Sequence, residues 1–572
     1  MNSLVVLGIG GSGTKSVEAL IHLMVAGILP NDVDISFLDQ DTSNGNLVQT
    51  SRIISLYQTL QKGLRPALSK FRPTCLLFSS IINKGQEGRN ACPIWQAVDP
   101  PFEKLGGLFQ RNLLRPEARH MLDCLFDPVN EVDLELVHGF RGRPAIGQAV
   151  LAAGLHNKLP FWQYMEDKLR EGHQMAVPQK YFLIGSVFGG TGAAGVPTVA
   201  RWLSRKLNPA DGSKGGTVGS ALLLPYFKYP DEDPEGDVVK GRLLGSSTML
   251  ARTRLALEYY RMHLSGTESG TQRLGRFDSL YMVGWPELVD LRYQAPGGQS
   301  QTNPALMPEL LAALGCAHFA LDLPTSNRDG SRLCRAGFVG DSIEWEDLPD
   351  PTPEGAALLG LRPLACLVRF AFAYKYIYYE AIFGEDARDV YHKQVWYCNL
   401  FGGSPNNRRS TLDEKPGVLA QHIPSPEVGR ALYSYCDYLL RWAASLALHG
   451  EHPSCSLFDV TTANFATLVV DRTDTGRPIG RRVQLYEEHQ DNAPFMRGTE
   501  RYRYLPFRYI ESDADNIFNN LIKWNKESTF CSLQEVYRFL CTVRPESQGD
   551  TGFPAFIHAL WFACARQKGD YP

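Results

Sequence analysis

Two glycine clusters carry the residue types that can hold an anion. The first reads Gly8-Ile9-Gly10-Gly11-Ser12-Gly13-Thr14-Lys15-Ser16, and the second Phe188-Gly189-Gly190-Thr191-Gly192-Ala193-Ala194-Gly195. Each follows an apolar run, Leu4 to Leu7 and Tyr181 to Val187, and precedes a helix-compatible segment, Val17 to Val25 and Val196 to Leu207. A strand feeding a glycine turn and then a helix aims backbone N–H groups at a phosphate. Glycine lets the chain take positive φ and lets anionic oxygens reach the backbone without a Cβ in the way. Thr191 adds a hydroxyl donor. The competing reading of either cluster is a tight strand-to-helix turn with no ligand.

The first cluster fits more than one chemistry. Gly8, Gly10 and Gly13 satisfy the dinucleotide spacing G-x-G-x-x-G. A P-loop needs Gly-Lys-Ser/Thr, and here Thr14 stands between Gly13 and Lys15, so that match fails by one residue. A second strand, Val33 to Leu38, ends in Asp39-Gln40-Asp41-Thr42-Ser43-Asn44. Carboxylates and amides at the tip of a second strand meet a ribose or a metal-bound water.

The elements that must position these residues alternate along the first half. A long stretch of mixed composition, 73–136, reads as an insertion. The turn Phe140 to Gly147 launches a helix from Gln148 to Leu155, and a second helix covers Trp162 to Glu171. Beyond the second glycine cluster come a strand at Val218 to Leu224, a helix at Ser247 to Met262 and a strand at Asp278 to Val283. Thr302 or Asn303 then caps a helix that opens on Pro304 and runs to about Leu321. Such alternation predicts an α/β fold, a mainly parallel sheet with helices on both faces. Ligands on such sheets bind at the carboxyl ends of the strands.

Composition narrows the function classes. A net charge of −3 over 572 residues argues against a general nucleic-acid or membrane-surface binder. The most lipid-like segment, Leu361 to Phe383, carries Arg362, Arg369, Lys375 and Glu380, which points to a buried helix rather than a span. The 12 cysteines form no C-x-x-C pair, and no basic leader precedes the first strand, so a cytoplasmic protein with reduced thiols is expected. His449, His452 and Cys455 read as a loop interrupted by Pro453 rather than a metal cluster. The half beyond residue 330 reads as mainly helical with short strands and shows no catalytic spacing. Its charge-rich runs, Arg472 to Arg482 and Arg497 to Arg508, read as solvated or partner-facing surfaces.

The ordered set resembles the tubulin/FtsZ superfamily, in particular its divergent bacterial tubulin-like members, over residues 1–325. Gly8 to Gly13 looks like the family's first glycine loop, Asp39 to Asn44 like its acidic second loop, and Arg143-Pro144-Ala145-Ile146-Gly147 like its Asn-Pro-x-Ile-Gly element. Phe188 to Ala194 matches the signature Gly-Gly-Gly-Thr-Gly-Thr/Ser-Gly, with Phe188 replacing the first glycine and Ala193-Ala194 the last two residues. Pro225-Tyr226-Phe227 resembles the segment after strand five, and Asn303 stands where the central helix meets the base.

The resemblance implies a tubulin/FtsZ-like, Rossmann-type nucleotide-binding domain at 1–325, with a central helix at 304–321, followed by a mainly helical α+β region at 330–572. It implies GTP or GDP with Mg²⁺. Phosphates would lie on Gly10, Gly11, Ser12 and Gly13 and on Gly189, Gly190, Thr191 and Gly192. Arg143 would reach a terminal phosphate, Asp39 and Asp41 a metal-bound water or the ribose, Asp231 and Glu232 the ribose, and Asn303 the base. It further implies self-association into a homo-oligomer or filament, with protein partners for the C-terminal half. Hydrolysis would need Asn327 and Asp329 at a subunit contact, and their frame departs from the family pattern. Two rivals stand beside this reading. One is a scaffold that does not hydrolyse nucleotide. The other is an ATP-dependent adenylating enzyme of the ubiquitin-activating type, which Gly8 to Gly13 and Asp39-x-Asp41 also resemble and which leaves residues 189–192 without a role.

Overall fold

The computed structural model describes residues 4–29, 32–71, 75–84, 92–98, 104–175, 178–207, 215–228, 246–264, 277–291, 298–321, 332–336, 342–349, 361–383, 395–401, 426–448, 454–458, 471–472, 478–479, 518–522, 530–543 and 552–567. Its first half alternates strand and helix: β1 (Leu4–Ile9), α1 (Gly10–Val25), β2 (Val33–Leu38), α2 (Gly45–Leu68), β3 (Ile94–Trp95), α3 (Leu105–Leu108), α4 (Pro116–Leu125), α5 (Pro144–His156) and α6 (Pro160–Met175). There follow β4 (Gln179–Ser186), α7 (Gly190–Leu207), β5 (Gly216–Leu223), β6 (Phe227–Lys228), α8 (Ser246–Leu264), β7 (Ser279–Val283), β8 (Val289–Asp290), α9 (Met307–Ala320) and β9 (Arg332–Ala336).

Seven strands form one sheet in the order β3-β2-β1-β4-β5-β7-β9, and every pairing in it is parallel. The strands β6 and β8 pair apart from it. β1 is central and buried along its whole length, which is why it reads as a continuous apolar run rather than an alternating one. Its side chains still alternate between faces. Leu4 and Val6 join the core beneath α1, α2 and α9, whereas Val5, Leu7 and Ile9 join the core beneath α5, α6 and α7. The expected α/β architecture, a parallel sheet with helices on both faces, is therefore present.

The structure shifts four expected boundaries, the first being α5, which opens at Pro144 within the stretch expected as a turn rather than at Gln148. α1 starts at Gly10 and α7 at Gly190, so the glycines form the first helical turns instead of separate loops. Close packing explains this: a Cβ on Gly13 would stand 2.4 Å from the carbonyl oxygen of Ile184 on β4. The helix expected from Pro304 opens at Met307, with Pro308 in its first turn. Neither Thr302 nor Asn303 caps it; the Leu306 N–H donates to Glu309 Oε2 at 3.0 Å. Residues 73–136, expected as an insertion, supply the sheet strand β3, which pairs with β2 at Phe37 and Leu38.

After β9, the described residues include α10 (Arg362–Ala373), a π turn at Tyr374–Tyr378, α11 (Tyr379–Phe383) and helices at Val395–Phe401, Pro426–Leu448, Leu533–Thr542 and Phe553–Ala565. Buried residues of these helices share one continuous core with α1, α2 and α9. Arg369 shows how a charge fits there. It is 1% exposed, donates to the carbonyls of Cys564, Phe518 and Cys531, and lies against the rings of Phe518 and Phe530. Carbonyl acceptors and aromatic faces replace the water its guanidinium gives up.

Candidate functional site

The order of the sheet reverses between β1 and β4: β2 and β3 continue to one side, β5, β7 and β9 to the other. Such a switch point opens a crevice at the carboxyl ends of the strands. Both glycine clusters lie there, because α1 leaves β1 directly and α7 follows β4 after three residues. The first four N–H groups of a helix have no partner within it, and the helix dipole makes that end partly positive. Two such ends meet here almost in contact. Gly10 has φ of +72°, and a Cβ on it would stand 3.2 Å from the backbone N of Gly192. Gly11 is open by comparison, since a Cβ on it would meet only Asn44 Nδ2, at 3.9 Å, and Gly11, Ser12 and Gly189 remain partly exposed.

The tip of β2 closes one side. Asp39 Oδ1 accepts from the Asp41 N–H at 3.3 Å and from Thr191 Oγ1 at 3.4 Å, which ties the acidic tip to the second glycine turn. Burial and the neighbouring Asp41 push the Asp39 carboxyl up to about 7. Asp41 has a different duty. Its Oδ1 accepts from the N–H and Oγ of Ser43 at 3.1 and 2.7 Å, and its Oδ2 from the Gly298 N–H at 2.6 Å. The two carboxylates, equivalent in sequence, thus separate into one beside the glycines and one bracing the 298–301 turn.

Asn44 extends the brace by capping α2. It accepts from the Asn46 N–H at 2.9 Å and donates to Gln301 Oε1 at 2.6 Å. Asn303 is brought alongside, its N–H donating to Asn46 Oδ1 at 2.8 Å. The Nδ2 of Asn46 is buried without a hydrogen-bond partner among the described residues. A buried donor of that kind is costly unless a ligand or water meets it.

Arg143 follows a left-handed turn at Arg141 and Gly142, with φ of 44° and 70°. The turn abuts the second glycine cluster: a Cβ on Gly190 would lie 2.8 Å from Phe140 Cβ and 3.0 Å from the Gly142 N. The guanidinium itself is buried, donating to the Arg141 carbonyl at 3.4 Å and lying 3.8 Å from Glu131. Arg252 donates to the Gly142 carbonyl on the same turn. Burial, and then the charge of Arg252, lowers the pKa of Arg143.

Along α1 from the glycines, a cavity of about 800 Å³ lies between α1, α2, the 299–305 segment and helix 426–448. Lys15 and Glu18 line it as an ion pair of 2.7 Å, 3% and 1% exposed. Gln49 donates to the other Glu18 oxygen at 2.8 Å. Burial favours the neutral form of each partner, but mutual attraction outweighs it: Lys15 is raised, with help from Glu309, and Glu18 is lowered. Glu309, which accepts from Tyr226 at 3.0 Å, is pushed by burial up to about 7. Lys15 is therefore engaged by Glu18, in keeping with the failed P-loop spacing.

Of the residues expected at one site, the two glycine clusters, Thr191 and Asp39 lie together, whereas Asn303 lies beside Asn46 on the cavity farther along α1. Asn44 belongs to the tip expected from sequence, whereas Asn46 and the Lys15–Glu18 pair were not foreseen, the available signal for the pair being two opposite charges three apart on one helix. Asp231, Glu232, Asn327 and Asp329 lie outside the described residues, as do His449 and His452. Among the described residues no group of three His, Cys, Asp or Glu side chains is arranged to hold a metal ion, and no helix is long and apolar enough to cross a membrane. No protein-family model and no curated protein matches the chain.

Proposed function

We propose that this chain is a tubulin-like nucleotide-binding protein that takes GTP in the crevice between β1 and β4 and self-associates or scaffolds protein partners. The observation that carries the reading is the convergence of two glycine-built helix starts, Gly10 and Gly190, on the switch point of a parallel sheet. One such turn is common; two in near contact bring N–H donors of both helix starts together, which suits a chain of phosphates.

In this reading the backbone amides of Gly10 to Gly13 and Gly189 to Gly192 bind the phosphates, and the Thr191 hydroxyl can reach the same anion. The nucleoside end lies along α1 toward Lys15 and Asn303, in the cavity that both residues line. Of the two acidic residues, Asp39 fits Mg²⁺, because Asp41 spends both oxygens on Ser43 and Gly298. Bound Mg²⁺ supplies positive charge that offsets the phosphate oxygens. Asp39 would hold such an ion as the carboxylate, the form that a nearby positive charge favours. The ordered resemblance to the tubulin/FtsZ superfamily supports GTP over ATP and a neighbouring subunit as the completing partner. The adenylating alternative gives the second glycine turn no role.

A second reading keeps the nucleotide as a structural ligand without turnover. The engagement of Arg143 by the Arg141 carbonyl and Glu131, and of Asp41 by its own loop, favours it. Phosphate release measured across a protein-concentration series separates the two. Turnover per chain that rises with concentration supports an assembling GTPase, and binding without release supports the scaffold.

A further inference from the structure

The 800 Å³ cavity has a wall that the nucleotide reading leaves unassigned. Helix 426–448 supplies it, presenting Tyr433, Ser434, Asp437, Tyr438, Arg441 and Trp442 opposite Lys15 and Asn303. We propose that this C-terminal helix completes the nucleoside end of the site, so that a bound nucleotide is held jointly by the sheet and by the C-terminal helical layer. The inference rests on the reading of the glycine crevice given above.

Continuity along α1 is the first argument. Gly11, Lys15 and Glu18 follow one another at four and three residues and so share a helix face, spanning about 10 Å at 1.5 Å per residue. A ligand whose anionic end meets the N–H groups at Gly11 and Ser12 and runs along that face arrives in the cavity. The lining chemistry is the second argument. Hydroxyls, amides and two ion pairs alternate with the rings of Tyr438 and Trp442, an arrangement that suits a flat heterocycle with polar edges and a sugar. An apolar occupant would strip water from the partly exposed Asp437–Arg441 pair and return nothing.

The wall is also fixed in place by bonds that do not involve a ligand. Asp437 accepts from Arg441 at 2.8 Å and from Lys375 on the π turn. Ser445 Oγ accepts from the Ala305 N–H at 2.9 Å, which fastens the helix to the segment bearing Asn303. Tyr435 meets His22 of α1 at 3.0 Å. Helix 426–448 is thus tied to the π turn, to the 299–305 segment and to α1, and a ligand filling the cavity would tighten those ties by linkage.

The test uses the full chain with GTP and Mg²⁺, and inorganic tripolyphosphate as a probe of the phosphate end alone. Ser434→Trp places bulk in the cavity, and Arg441→Ala serves as the second variant should the first fail to fold. The proposal expects either variant to weaken GTP by about tenfold or more while tripolyphosphate stays within about twofold. It also expects GTP to slow hydrogen exchange across 426–448 in the unsubstituted protein. Unchanged GTP affinity in both folded variants, with no change of exchange in 426–448, overturns the inference and leaves the crevice reading standing. Failure of the unsubstituted protein to bind either GTP or tripolyphosphate overturns both.

Discussion

Gly10 and Gly192 stand so close that a Cβ on the first would lie 3.2 Å from the backbone nitrogen of the second. The two residues belong to different glycine clusters, 182 positions apart, and their contact joins the start of α1 to the start of α7. Substituting Gly10 by alanine meets both this contact and the positive φ, which for a non-glycine residue costs about 1–2 kcal/mol. Thermal unfolding of Gly10→Ala should begin a few degrees lower, by the usual conversion of such a loss. GTP affinity should fall by about tenfold or more as the two turns are pushed apart. Full affinity in the folded variant would remove the paired turns from the account.

The buried pair Lys15–Glu18 should behave as a unit. Removing Glu18 leaves Lys15, 3% exposed, without its ion-pair partner and with Glu309 as the remaining counter-charge, so Glu18→Ala should cost about 3 kcal/mol in urea unfolding. The double variant Lys15→Met, Glu18→Leu should recover most of that, because it removes both desolvation costs. Additive losses in the double variant would show that each residue acts through packing instead.

Asp39 should give stability a measurable pH slope. Its folded-state value of about 7 lies above its ordinary 3.8, so the folded chain holds a proton that the unfolded chain releases. Stability therefore falls as pH rises from about 4 to about 7, by at most about 1.4 kcal/mol per pH unit, and levels off above that. Asp39→Asn keeps an acceptor for Thr191 and the Asp41 N–H but does not titrate. It should be more stable than the parent at pH 8, with the gap closing toward pH 4. Glu309 shares this direction and window but is present in both chains, so it cancels. A gap independent of pH would mean that Asp39 stays ionised when folded.

Much of this was legible because the sheet is central and dry. β1 and β4 are buried end to end, so their composition has little freedom, and the apolar runs mark them. The helix starts were hidden by their own glycines, which read as breakers although packing against β4 at Gly13 forbids a larger residue. The start of α9 was ambiguous because Pro304 and Pro308 both suit a first turn. In the structure Asn46 takes the Asn303 N–H and Ser445 the Ala305 N–H, and both residues lie ahead of the helix, whose cap residue Leu306 is extended. β3 has two residues, Ile94 and Trp95, too few to show a period. The roles of Asp39 and Asp41 could not be separated in sequence because the bond that separates them reaches Gly298, 257 positions away.

The central claim is tested most directly by calorimetric titration of the purified full chain with GTP and with ATP in the presence of Mg²⁺, beside the variant Gly190→Asp. That substitution sets a carboxylate among the N–H donors, with its Cβ about 2.8 Å from Phe140 Cβ. The account predicts saturable binding of one GTP per chain, weaker binding of ATP, and loss of both in the variant. No binding by the parent chain, or equal binding by a folded Gly190→Asp protein, would contradict it.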